Sequence, residues 1–265
     1  MRSRLLTAFI LAAALIAVVL YTSPPVVAVI MGIALLVGGW EWSGFLRVQW
    51  YWRAAYVLLL AALGVWGLRY TVQAERFVPL MEIALAWWVV AVLWIIWAPT
   101  RGARGAAALA GALSLVPTWI ALVRIVAHWE HGAEWLLFVL ALAFAADTGA
   151  FFAGRHLGRT PLAPLVSPNK TWEGVVGGML LALGVAAGAN AWFSLPASAF
   201  LPLCLAAASF SVIGDLTESM LKRHVHIKDS GRLFPGHGGV LDRIDSVTAA
   251  TPVLALGLMW LGAGR

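Results

Sequence analysis

The chain is written as long apolar runs separated by short clusters of charge, proline and glycine. Dividing it at those clusters gives nine runs, at residues 4–22, 24–40, 54–70, 79–98, 105–127, 133–153, 174–194, 197–215 and 246–263. At 1.5 Å of rise per residue, runs of this length suit helices crossing a hydrocarbon layer about 30 Å thick. The short alternating segments of a membrane barrel are absent. The pattern therefore predicts an all-α polytopic membrane protein with about nine transmembrane helices. The first run, Leu5 to Leu20, follows Arg2 and Arg4 as a signal peptide would. It is long for a signal's apolar core, and the "YTSPP" after it is no small-x-small cleavage site, so it reads as a retained helix.

Composition agrees. The chain is 62% apolar and 11% charged, with a mean hydropathy of +0.88, far from a soluble domain. Cys204 is the single cysteine and lies in an apolar run, which excludes an intramolecular disulfide and a cysteine-based metal site. The net charge of +6 fits cytoplasmic loops facing anionic lipid rather than a nucleic-acid surface. With the N-terminus inside, fourteen cations fall in inside loops: Arg2, Arg4, Arg47, Arg53, Arg101, Arg104, Arg155, Arg159, Lys170, Lys222, Arg223, Lys228, Arg232 and Arg243. Only Arg69, Arg76 and Arg265 fall outside. An odd number of runs is needed for that bias, so the predicted topology is N-in, C-out. Arg124 and Glu82 lie within about a turn of a run's end and read as snorkelling residues.

The polar residues are unevenly shared. All five Asp and all three Lys lie after residue 146. Residues 1–130 thus read as a scaffold of helices offering dimer contacts, and 131–265 as the catalytic region. Three polar clusters follow there: "DTGAFFAGRHLGR", "LAPLVSPNKTWEG", and a stretch from "GDLTESMLKRHVHIKDSG" to Asp245. By the predicted topology all three reach the cytoplasmic side. Asp147 and Asp215 each sit at the inner end of an apolar run, where a carboxylate is costly unless it meets a cation or a cavity; helix capping is the plain alternative. Asp242 and Asp245 are three apart and share a helix face. Several carboxylates suit a hard ion such as Mg²⁺, and a local ion-pair cluster at a helix start would use the same residues. "PGHGG" offers backbone N–H groups to an anion, because glycine permits positive φ and close approach. It is neither a Walker A loop nor a dinucleotide fingerprint. Acids for a metal and bases for phosphates on one face point to metal-assisted transfer of a phosphoryl or nucleotidyl group to a lipid.

"SMLKRHVHIKDSGRLFPGHGGVLDRID", Ser219 to Asp245, resembles the signature of the phosphatidate cytidylyltransferases, the CDP-diacylglycerol synthases. It fits at Ser219, Lys222-Arg223, Lys228-Asp229, Gly231, Phe234-Pro235, His237-Gly238-Gly239, Asp242-Arg243 and Asp245. "DTGAFFAGR" and "SPNKTWEG" are similar to further family motifs in the same order. The resemblance implies attack of the phosphate of phosphatidic acid on the α-phosphorus of CTP, with Mg²⁺, in an inner-membrane enzyme whose site faces the cytoplasm. It also implies metal held by Asp215 and Asp242, with Asp245 in the same acidic site, and a homodimer. Lys170, Lys222, Arg223 and Arg243 are expected to handle phosphates, with Ser167, Asn169, Lys228, Gly238 and Gly239 on the nucleotide and His237 near the chemistry. No covalent nucleophile is needed, since the lipid phosphate is already an anion. A transporter would explain the spans but not three phosphate-type clusters on one side. The D-G-x₂-A-R-x₈-G-x₃-D-x₃-D run of the CDP-alcohol phosphotransferases is absent, and a CTP-dependent polyprenol kinase is the remaining lipid-enzyme rival.

Overall fold

The computed structural model describes the backbone of residues 2–231, 233 and 238–263, with side chains from residue 12 onward except Ala74. Among these residues the chain forms nine α-helices: α1 (Arg2–Tyr21), α2 (Pro24–Ser43), α3 (Trp50–Tyr70), α4 (Ala74–Trp97), α5 (Arg104–His128), α6 (Gly132–Leu157), α7 (Trp172–Phe193), α8 (Ala197–His224) and α9 (Leu241–Trp260). Seven of them, α2 to α8, are long and apolar enough to cross a membrane, so the chain is an α-helical polytopic membrane protein.

α9 falls short of that measure because Arg243, Asp245, Ser246, Thr248 and Thr251 dilute its apolar run. Its position explains why it tolerates them. It is buried from Asp245 to Leu258 and packs against α8, α5, α4, α6 and α2, so protein rather than lipid surrounds it. Pro252 leaves the Thr248 carbonyl without its helical N–H donor. That oxygen accepts instead from the Thr118 hydroxyl of α5, at 2.8 Å, which meets the rule that backbone groups away from water be satisfied internally.

The other contacts follow the same economy of polar groups. Trp42 Nε1 donates to Ala107 O and Tyr56 OH to Ala108 O, each at 2.8 Å, fastening α2 and α3 to the start of α5. α6 and α7 pack most intimately. A Cβ on Gly149, Gly174, Gly177 or Gly178 would meet the facing helix's backbone or an alanine of it. Small residues at such a seam are how membrane helices gain contact without a hydrophobic drive.

One element departs from an all-helical chain. Between α6 and α7 a short antiparallel hairpin forms, β1 (Pro161–Ala163) with β2 (Ser167–Thr171). Pro161, Pro164 and Pro168 discourage helix here, and the hairpin ends on Thr171, whose Oγ1 accepts from Gly174 N at 3.1 Å and caps α7.

Candidate functional site

The eighth apolar run ends at residue 215, yet α8 continues to His224. Asp215, Glu218, Ser219 and Lys222 consequently recur at helical spacing on one face of it. Lys222 Nζ donates to Glu218 Oε2 at 2.7 Å and to Asp242 Oδ1 at 2.7 Å. All three groups are nearly enclosed: side-chain exposure is 11% for Lys222, 1% for Glu218 and 8% for Asp242. Charges removed from water this far survive only as partners.

The start of α9 is built around two carboxylates. Asp242 Oδ2 accepts from Ser230 N and Ser230 Oγ, both at 2.9 Å, and from Gly239 N at 2.8 Å. With Lys222 on Oδ1, both its oxygens are occupied. Glu41, from the last turn of α2, accepts from Val240 N at 3.1 Å and Leu241 N at 2.7 Å. The amides of Gly239, Val240 and Leu241 are thereby bound to carboxylates; of the "PGHGG" stretch expected to turn N–H groups to a phosphate, only Gly238 and Gly239 lie among the described residues. The glycines have another use. Gly238 has φ +81°, and a Cβ there would meet the Asp242 carboxylate; one on Gly239 would meet that of Glu41. His237 and the Phe234–Gly236 part of the signature lie outside the described residues.

A second group of acids gathers beside this one. Asp147, on α6, accepts from Ser246 Oγ at 2.9 Å. Asp215 pairs with Lys170 of β2. Asp245 is buried, 8% exposed, accepts from Ser246 N at 2.8 Å, and lies within electrostatic reach of Asp215, Glu218 and Asp147. Among the described residues no three acids enclose an ion by themselves. Mg²⁺ sites in general use one or two carboxylates, with the remaining positions left to water and phosphate oxygens. Glu218 Oε1 is buried with no hydrogen-bond partner among the described residues, and Glu218 faces Asp245. Two neighbouring buried carboxylates with an orphaned oxygen fit a cation well.

A cavity of about 500 Å³ opens beside this cluster, walled by α6, the hairpin, α7 and α8. Asp147, Arg155, Ser167, Asn169, Lys170 and Asp215 line its polar side. Thus the structure brings Ser167, Asn169, Lys170 and Asp215 to one cavity, with Asp245 buried behind. Arg223 is exposed, and its Nε donates to Val166 O of the hairpin at 3.4 Å; Arg243 lies near Asp147. Lys228 lies apart from that cavity. It lines a second one of about 960 Å³ with Trp40, Glu41, Arg53 and Ser230. Glu218 was missed in the sequence, although its i,i+4 spacing to Lys222 was a usable signal. Glu41 escapes sequence reasoning because the second apolar run ends at residue 40, whereas α2 continues to Ser43.

A model of the cytidylyltransferase family matches residues 2–261. A phosphatidate cytidylyltransferase of Haemophilus influenzae is 36% identical over 278 residues, spanning 95% of this chain and 96% of its own length. One from Pseudomonas aeruginosa is 39% identical over 241 residues, 88% of this chain and 87% of its own. A chloroplastic phosphatidate cytidylyltransferase of Arabidopsis thaliana is 37% identical over 195 residues, 73% of this chain and 48% of its own.

Proposed function

The chain belongs to the cytidylyltransferase family, and from that premise we propose that it transfers CMP from CTP to phosphatidic acid, giving CDP-diacylglycerol and pyrophosphate for phospholipid synthesis. An oxygen of the lipid phosphate forms the new bond to the α-phosphorus of CTP, and the bond from that phosphorus to pyrophosphate breaks. The observation that carries this reading is the meeting of Asp147, Asp215, Glu218 and Asp245 with Lys170 and Lys222 beside one cavity. Such a site neutralises charge on a triphosphate and holds two anions in line, which is most of what phosphoryl chemistry demands.

Mg²⁺ is the proposed cofactor, held by Asp215 and Asp245 with Glu218 Oε1 in reach; when bound it supplies charge neutralisation on the phosphate oxygens. Lys170 gives up its pairing with Asp215 to reach a phosphate, from a β2 strand that also offers Ser167 and Asn169. Lys222 holds Glu218 and Asp242 in register, and Asp242 serves the site by organising Ser230 and Gly239. Arg223 and Arg243 complete the cationic rim; Lys228, from the neighbouring cavity, and His237 are proposed to meet the nucleotide and the chemistry. The charge bias of the loops supports nine spans, N-in and C-out, with this end of the bundle at the cytoplasmic face of a bacterial inner membrane. A homodimer through residues 1–130 completes the proposal.

The metal assignment is tested by Mg²⁺ titration of wild type, Asp215→Asn and Asp245→Asn, scoring CDP-diacylglycerol. Both variants should lose about 10³-fold or more in turnover. Near-wild-type turnover in either would remove that residue from the metal site.

A further inference from the structure

Glu41 is an acid in a helix of the half that carries no Asp or Lys. It is 7% exposed, and among the described residues no cation pairs with it. Among the described residues, each hydrogen bond its carboxylate accepts comes from about 190–200 residues along the chain, in the signature loop: Val240 N, Leu241 N, and Ser230 Oγ at 3.3 Å. An anion at a helix N-terminus satisfies N–H groups that have no intrahelical partner and meets the positive end of the dipole. Such caps normally come from the residue just before the helix. Here that residue is Val240, whose side chain cannot accept, and the capping group is supplied from α2.

The surroundings are shaped for it. A Cβ on Gly231 or on Gly239 would run into the Glu41 carboxylate, so two signature glycines make room for this one side chain. Ser230 Oγ lies between Glu41 Oε2 and Asp242 Oδ2, at 3.3 and 2.9 Å. Glu41 thus joins the network that fixes Asp242, and through Asp242 and Lys222 it reaches Glu218. Asp245 follows one helical turn behind the capped end.

We propose that Glu41 is a positioning residue for the reaction: from the N-terminal half it caps α9 and so sets where the first-turn carboxylates Asp242 and Asp245 stand. It touches no reacting atom. The inference deepens the function proposed above and rests on it for the activity arm of its test.

The test uses purified full-length protein with Glu41→Gln and Glu41→Asp, read in two ways. Gln keeps the shape but turns an amide toward N–H donors; Asp keeps the charge with a shorter reach. Amide exchange should rise about tenfold or more at Val240 and Leu241 in Glu41→Gln, and should stay as in wild type across the interior of α5. Turnover should fall about 10²-fold with KM for CTP within about twofold, since displaced groups cost rate more than binding. Glu41→Asp should recover part of both. Wild-type exchange at Val240 and Leu241 in Glu41→Gln would overturn the cap. Faster exchange with wild-type turnover, or exchange raised equally throughout α5, would overturn positioning. If wild-type protein makes no CDP-diacylglycerol, the function falls by itself, and the exchange arm still decides whether Glu41 holds α9.

Discussion

Lys222 is the residue on which most of the buried charge depends. It is the cation that Glu218 and Asp242 share, at 2.7 Å from each, in surroundings where one positive charge faces two negative ones. Lys222→Met removes the cation and leaves both acids enclosed, so unfolding in detergent should show a loss of roughly 3–5 kcal/mol. Adding Glu218→Gln to that variant should return part of the loss, because one of the stranded charges goes too. A single-variant loss under about 1 kcal/mol would contradict the pairing. At this scale the sequence was legible where the chemistry is local. Asp215, Asp242, Asp245 and Lys222 stand out by type and spacing, and Asp147 by its place toward the inner end of an apolar run, although α6 carries on to Leu157. Glu41 did not, because its meaning lies in amides some 200 residues away, and no local pattern encodes that pairing.

Among the elements, α9 shows why apolar length alone is an incomplete guide to a membrane chain. The run at 246–263 predicts a ninth span, and the helix is there, but wrapped by protein. Its hydroxyls and its proline are accommodated by neighbours, the Thr118–Thr248 bond being the clearest instance. Thr118→Val should cost about 1 kcal/mol. In a Pro252→Ala background, where α9 regains its own N–H for Thr248 O, the same change should cost close to nothing. A double-mutant cycle by unfolding in micelles measures this coupling, and equal costs in both backgrounds would contradict it. The helices themselves were legible from apolar runs. The extension of α8 by nine residues beyond residue 215 was not, because its last turns are stabilised by ion pairs that only the folded neighbours supply. Nor was the hairpin, a stretch holding three prolines that a hydropathy pattern registers only as a break.

For the whole molecule, one end of the bundle collects the end of α2, the hairpin, the end of α8 and the start of α9, and with them Glu41, Asp215, Glu218, Asp242, Asp245 and the lysines Lys170, Lys222 and Lys228. Thr71 and the turn after α3 lie at the other end. The proposed topology puts the first end in the cytoplasm. With the buried Cys204 replaced by Ala, Leu165→Cys on the exposed hairpin turn should resist a membrane-impermeant maleimide in spheroplasts and react in inside-out vesicles. Val72→Cys, exposed at the far end, should do the reverse, and the opposite pattern for the pair would invert the topology. The central claim is the reaction itself, and the partition of label tests it most directly. Purified protein is incubated with phosphatidic acid, Mg²⁺ and CTP labelled on either the α- or the γ-phosphate. The α-label should pass into the lipid phase as CDP-diacylglycerol, while the γ-label remains in water as pyrophosphate. A γ-label in the lipid phase, or no lipid-borne label from either, would contradict it.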